Sequence, residues 1–234
     1  MEGYTYLGII VLAGLILASF ATPLATLLLL YHASLGAHVR QTTRRLASSY
    51  LSGVTLMHFL LLASTAFLVS GLSVAGTFSR TSLSVLFGIL LALAVVSWAF
   101  YYKRGTTTEL WLPRSLAKFL SSRAKSTSDL NEAYVLGLLV PLSELLFSLP
   151  LFLLAGDAVL HLSPVFQALG LVIFTLLSVL PLLILRLSLR SGRNVTEVQR
   201  FRLRHKAFFR IFTGSGLLVL AAYLLVFLIL GESL

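Results

Sequence analysis

Glu144 is an acidic residue set deep in a long apolar run, in the segment ProLeuSerGluLeuLeuPheSerLeuPro from Pro141 to Pro150. A carboxylate in such a setting costs on the order of several kcal/mol unless it is neutralised, paired or hydrated. The chemistry open to it is a proton or cation site. Its neighbours would be the Ser143 and Ser148 hydroxyls and the backbone carbonyls that Pro141 leaves without a donor. The plainer alternative is a protonated structural carboxyl, hydrogen-bonded to a neighbouring helix. His58 sits in another apolar run at a comparable depth. A His58–Glu144 pair would relay protons; a core histidine would instead donate to a backbone carbonyl. Thr22 and Thr26 lie one turn apart and flank Pro23. Their hydroxyls either line a pore or bond back to the carbonyls four residues earlier.

Other chemistries fall away. The chain has no cysteine, which removes disulfides, thiolate metal sites and thiol redox chemistry. No expected span carries two acidic residues, and no His-x-x-x-His occurs. A tight divalent cation site would need several such ligands, so neither a metal nor another cofactor is expected. Haem ligation by His32 and His58 fails on depth, because His32 falls at the membrane interface. The GlySerGly at 214–216 suits close helix packing better than an intramembrane serine nucleophile, since no suitable histidine follows it. GlyThrThrThr at 105–108 has no second glycine and no lysine after it, so it is not a phosphate-binding loop. The residues do not suggest an enzyme.

The elements that must hold these side chains follow from charge. Of 18 Lys and Arg residues, three lie in a loop holding Arg40, Arg44 and Arg45, and six in a loop from Lys103 to Lys125. Eight more fall in a loop from Arg186 to Arg210, and only Arg80 lies elsewhere. Between these loops the chain is almost uncharged, with 58% hydrophobic residues overall and 11% charged. A basic tally of this kind could point to nucleic acid. Here each basic loop abuts an apolar stretch of about 20 residues or more, the length that crosses a hydrocarbon core, so the expected partner is a lipid bilayer with anionic lipid at its cytoplasmic face.

Six spans are expected, at about 4–31, 50–72, 83–102, 133–155, 164–185 and 211–230. Basic loops after the first, third and fifth place both termini outside. The whole chain, 1–234, reads as one all-α polytopic membrane domain of inner-membrane type. The first span lacks a basic start, with Glu2 and no Lys or Arg before Arg40, and is expected to be retained rather than cleaved. In the connector 103–132, Leu112, Leu116, Phe119 and Leu120 recur near helical spacing with Arg114, Lys118 and Arg123 on other faces. This predicts an amphipathic interfacial helix anchored by Trp111. Ser126–Asp129 then predicts a helix start.

The connector divides the chain into two halves of three spans. An odd count gives the halves opposite orientations, a 3+3 inverted repeat. Pro23 in span one and Pro141 and Pro150 in span four occupy equivalent places, and a broken helix there points to a central site. They are equally open to being ordinary kinks. Pro181 falls in span five.

The stretches LAGLILASFATPLATLLLLYHASLG and TRRLASSYLSGVTLMHFLLLASTAFLVSGL resemble the opening two helices of the cytochrome c biogenesis transmembrane family. That family includes CcdA-type proteins and the membrane part of DsbD, and lies within the LysE-type transporter superfamily. LLSVLPLLILRLSLRSG and FRIFTGSGLLVLAAYLL are similar to its last two helices. The resemblance implies a DsbD-like fold. The family passes reducing equivalents through two cysteines beside prolines in spans one and four. Thr22 stands about where the first would be, and no thiol lies near Glu144. No catalytic residue carries over, and an electron conduit is disfavoured.

The expected function is small-solute or ion transport through a central site at spans one and four, built from Glu144, Ser143, Thr22, Pro23, Pro141, Pro150 and His58. The alternative is a non-transporting membrane subunit or scaffold that meets a partner or anionic lipid through its basic loops. Substrate, coupling ion and oligomeric state are not legible.

Overall fold

Inside a hydrocarbon layer every backbone N–H and C=O must find a partner within its own segment, which favours helices. The computed structural model describes residues 2–20, 40–72, 80–101, 114–190, 204 and 206–226, and its regular structure there is all helical. The helices are α1 (Glu2–Phe20), α2 (Arg40–Leu72), α3 (Arg80–Val96, continued as a π-helix through Ser97–Tyr101), α4 (Arg114–Ser126), α5 (Leu130–Ser143), α6 (Leu145–Leu160), α7 (Pro164–Ser178), α8 (Leu180–Arg190) and α9 (Lys206–Tyr223).

Among the described residues two helices are long and apolar enough to cross a membrane, Gln41–Gly71 and Thr81–Ala99. Two further apolar segments are bent pairs of helices, α5 and α6 by 78° and α7 and α8 by 51°. Counting each bent pair as one crossing gives up to four, against the six expected. The described parts of the first and sixth expected spans are shorter apolar helices, Gly3–Ser19 and Ile211–Val226. The rest of those two segments lies outside the described residues.

The break in span four falls at Glu144. Pro141 is inside α5, and Pro150 is inside α6 without interrupting it. Glu144 leaves the helical ladder with φ −87° and ψ −3°, yet its backbone stays satisfied. Its N–H donates to the Val140 carbonyl at 3.1 Å, and its carbonyl accepts from Phe147 and Ser148 N–H at 3.0 and 3.1 Å. The second break repeats this at Val179, where φ is −99° and ψ 3°. Pro181 has no N–H for the Leu177 carbonyl, so the ladder ends there. Leu182 and Leu183 then donate to the Val179 carbonyl at 2.9 and 3.0 Å.

The amphipathic connector is present as α4. Leu120 and Ala124 are buried, while Lys118, Arg123 and Lys125 are exposed. The expected helix start is also present: Asp129 stands at the N-cap position of α5 in extended geometry, and the Ser128 N–H before it donates to the Glu132 carboxylate at 3.3 Å. Trp111 lies outside the described residues.

Small residues decide which helices touch. A Cβ at Gly53 would run into the Tyr134 carbonyl, and one at Gly137 into the Tyr50 carbonyl. Thirteen residues further along α2, a Cβ at Gly156 would lie 2.9 Å from the Ala66 nitrogen. So α2 runs parallel to the bent α5–α6 pair along both halves, backbone against backbone. In the same way α1 runs parallel to α7, with Gly14 against Phe174 and Gly170 against Ile10. Helix α9 runs antiparallel to α1, pairing Gly216 with Ile16 and Thr213 with Ser19. It also packs on α3, where Gly214 faces Trp98. The 214–216 segment is therefore a packing seam.

Two separate apolar cores result. One gathers Ile10, Ile16, Leu62, Leu90, Leu151, Phe152, Phe174 and Leu217 from α1, α2, α3, α6, α7 and α9. The other gathers Leu46, Tyr50, Val54, Leu120, Leu136, Val140 and Leu182 from α2, α4, α5 and α8.

Candidate functional site

Five buried polar side chains lie where the two cores meet: His58, Glu144, Ser148, Thr175 and Ser178. On α2, His58 sits one turn from Val54 of one core and one turn from Leu62 of the other. On the fourth crossing, Glu144 and Ser148 fall between Val140 and Leu151. On the fifth, Thr175 and Ser178 fall between Phe174 and Leu182. Each crossing thus changes core at a polar residue, and two of the three change at a helix break.

His58 is 2% exposed, and its Nδ1 lies 2.8 Å from Ser178 Oγ. The Ser178 hydroxyl has one proton, and it donates that to the Thr175 carbonyl at 2.8 Å. The serine oxygen must therefore accept from His58, which places the ring proton on Nδ1. The ring also packs at 5.9 Å from Phe152. The bond that His58 Nδ1 makes is with Ser178 of α7, a partner that the expected pairing with Glu144 did not include.

Glu144 is buried, 6% exposed, at the bend itself. It acts electrostatically on Tyr50 of α2, whose hydroxyl is buried with no hydrogen-bond partner among the described residues. Ser143 turns its hydroxyl back to the Val140 carbonyl at 2.6 Å, and Ser148 bonds the Glu144 carbonyl at 3.1 Å. Thr65 ties α2 to α6, its one hydroxyl proton shared between Leu62 O at 2.9 Å and Phe152 O at 3.2 Å. Of the residues expected at the site, Glu144, Ser143 and Pro141 are adjacent at the bend, Pro150 is buried two turns on, and His58 faces span five. Thr22 and Pro23 lie outside the described residues. Among the described residues no group of three or more His, Asp or Glu could hold a metal ion.

Tyr50, Ser178 and Asp157 escape a reading of the sequence. A tyrosine at a span boundary suggests an interfacial anchor, and a serine in an apolar helix suggests back-bonding. Asp157 lies two residues past Ala155, where the apolar stretch was expected to end in a nearly uncharged outer loop. Instead α6 continues to Leu160 and buries Asp157 to 4% exposure. The interior thus holds a second acid besides Glu144. Its neighbour His161 lies 3.9 Å away from it and stacks on Tyr6 of α1.

Two open cavities flank the bundle. One, of about 570 Å³, runs between α2 and α7 past Thr55, Phe59 and Thr175 to Arg186. The other, of about 400 Å³, lies between α4 and α5 beside Arg123 and Glu132.

No family model, curated protein or solved structure matches the chain.

Proposed function

We propose that this chain is a multi-pass inner-membrane carrier for a small solute or ion, with its site at the seam between the two cores. The observation that carries the reading is that buried Glu144, His58 and Ser178 fall between the two cores, beside the helix breaks at Glu144 and Val179. Broken helices at mid-depth expose backbone dipoles that can bind an ion or a polar solute, and an interior carboxylate supplies a charge that can titrate.

Six crossings arranged as a 3+3 inverted repeat belong to the same proposal. Exchanging the first three expected spans for the last three turns most packing pairs into others that are present, the contact of spans four and five excepted. The parallel pair of spans one and five becomes spans four and two; spans three and six exchange with each other; spans one and six become spans four and three. The running directions also support alternation of the helices across a bilayer. In this arrangement both termini lie outside and the basic loops face the cytoplasm, as the charge pattern favours. On this reading the layout resembles that of the cytochrome c biogenesis family, with the Glu144 carboxyl in the segment where that family carries its second thiol.

The test is reconstitution in liposomes with a solute panel and an internal pH dye. Solute-dependent movement of charge or protons that Glu144→Gln abolishes supports the carrier. An alternative draws on the hydroxyls at the seam, which bond to backbone carbonyls of their own helices and pack as in a static core. A protein inert towards every solute, but retained on anionic vesicles through its basic loops, would be the scaffold instead.

A further inference from the structure

A second ionisable site lies at the other end of the α6 helix, away from Glu144. Asp157 is almost wholly buried, and its Oδ1 has no hydrogen-bond partner among the described residues. Its Oδ2 lies 3.9 Å from Nδ1 of His161, one turn further on. That same Nδ1 is 2.9 Å from the Asp157 backbone carbonyl. A carbonyl only accepts, so Nδ1 carries a proton and Nε2 is the basic nitrogen of the neutral ring. The ring is held from α1, stacked on Tyr6 with centroids 4.8 Å apart and planes at 14°. The turn behind it is held from α7, where the Gln167 amide donates to the Leu160 and Leu162 carbonyls at 3.3 and 3.0 Å.

We infer that Asp157 and His161 form a proton-binding pair at the end of the bundle where α1, α6 and α7 meet. A buried carboxylate oxygen without a donor is expensive while it is charged. One proton relieves that cost in either of two places. On the carboxyl it leaves both partners neutral; on Nε2 it makes an imidazolium whose charge sits beside the carboxylate. The half-exposed His161 is the partner that meets solvent, with 24% of its side chain accessible against 6% for Asp157. The proton therefore has a route from water to the buried acid.

The surroundings add little charge. Tyr6 is the titratable group that α1 presents. Helix α2 offers Thr65 beside Gly156, α7 offers Gln167, and α3 contributes apolar Leu83 and Leu86. Among the described residues His161 is the titratable neighbour that acts on Asp157. The assignment of this pair as the outer proton site of a coupled carrier rests on the proposed function; proton binding does not.

The experiment is infrared titration of the full chain in lipid nanodiscs, across about pH 5–8. The expected result, with Glu144→Gln as the common background so that the other buried carboxyl adds no band, is a carboxylic acid carbonyl band that fades as pH rises, is lost in Asp157→Asn, and fades at a higher pH in His161→Gln, which cannot supply a compensating charge. His161→Gln alters a partly exposed ring and serves if Asp157→Asn fails to fold; Tyr6→Leu, which removes the stack, should move the midpoint too. A band that Asp157→Asn leaves in place, or that His161→Gln leaves unmoved, overturns the pair. So does a band that ignores pH but responds to sodium or potassium, because the ligand is then a metal cation. If the band titrates as expected while liposomes show no transport, the proton site stands and the carrier reading alone fails.

Discussion

Glu144 combines two roles in one residue. Its backbone makes the turn from α5 to α6 while its side chain places a carboxyl at the seam. Substitutions separate the two. Glu144→Gln keeps the volume and hydrogen bonding and removes the titrating charge, so it should abolish proton- or cation-coupled transport in liposomes and leave the folded yield near wild type. Glu144→Leu should also lose transport, with further destabilisation on the order of 1 kcal/mol from the lost polar contact. Normal transport by both variants would make the carboxyl structural. His58 and Ser178 give a second residue-level expectation. Their bond links the second and fifth crossings, and a double-mutant cycle of His58→Phe and Ser178→Ala should show a coupling of about 0.6–1.7 kcal/mol in thermal unfolding. A coupling near zero would mean that packing against Phe152, and not the Ser178 hydroxyl, sets the ring.

Among the helices, the bent fourth crossing is held by the straight second one. Helix α2 touches it at Gly53 and Gly137 on one side of the bend and at Gly156 on the other. At these points the opposing atoms are backbone, which cannot swing away. Gly53→Val or Gly137→Val should therefore lower the unfolding midpoint sharply, by an overpacking cost of about 1–3 kcal/mol or more. Gly88→Ala is the control, since an added methyl there meets nothing within 4 Å; it should match wild type. If Gly53→Val unfolds at the wild-type temperature in the same detergent, α2 and α5 are not in backbone contact. The same design ties bend to site: loosening α2 frees the angle between α5 and α6, so a milder Gly156→Ala should impair transport more than stability.

For the molecule as a whole, the basic loops and the running directions of the helices make a joint expectation. Reporter fusions after Leu234 should report the outside, and fusions within Arg114–Lys125 the cytoplasm. A cytoplasmic signal at Leu234 would mean an odd number of crossings and would end the inverted-repeat proposal. The connector α4 should lie flat at the inner surface, with Leu120 and Ala124 against α5 and its lysines and arginines towards anionic headgroups. Replacing Lys118, Arg123 and Lys125 with glutamine should weaken retention on anionic vesicles of the isolated detergent-solubilised protein, in a salt-dependent way. It should leave the helix count unchanged.

Composition and charge order were enough to predict an all-helical chain, an amphipathic connector and a helix start near Asp129. Each is a local matter: hydropathy over about 20 residues, charge at a loop, or a cap within one turn. Glu144 was also legible, because an acid within an apolar run is costly wherever the chain goes. What that acid meets was not. The partner of His58 is Ser178, 120 positions away, and no spacing within one segment encodes a bond between two helices. Pro141 and Pro181 stand beside the two bends while Pro150 leaves its helix intact, and the break in the fourth segment falls at Glu144, three residues beyond Pro141, where carbonyl and amide partners happen to close the turn. Asp157 looked like a loop residue because the apolar stretch ends at Ala155. Only packing shows that α6 runs on to Leu160, and that the carboxyl is buried with one oxygen lacking a donor among the described residues. Periodicity sets which face of a helix is apolar; which other face it meets, and which polar atoms that meeting encloses, depends on close approach between helices distant in the chain, here decided by a few glycines.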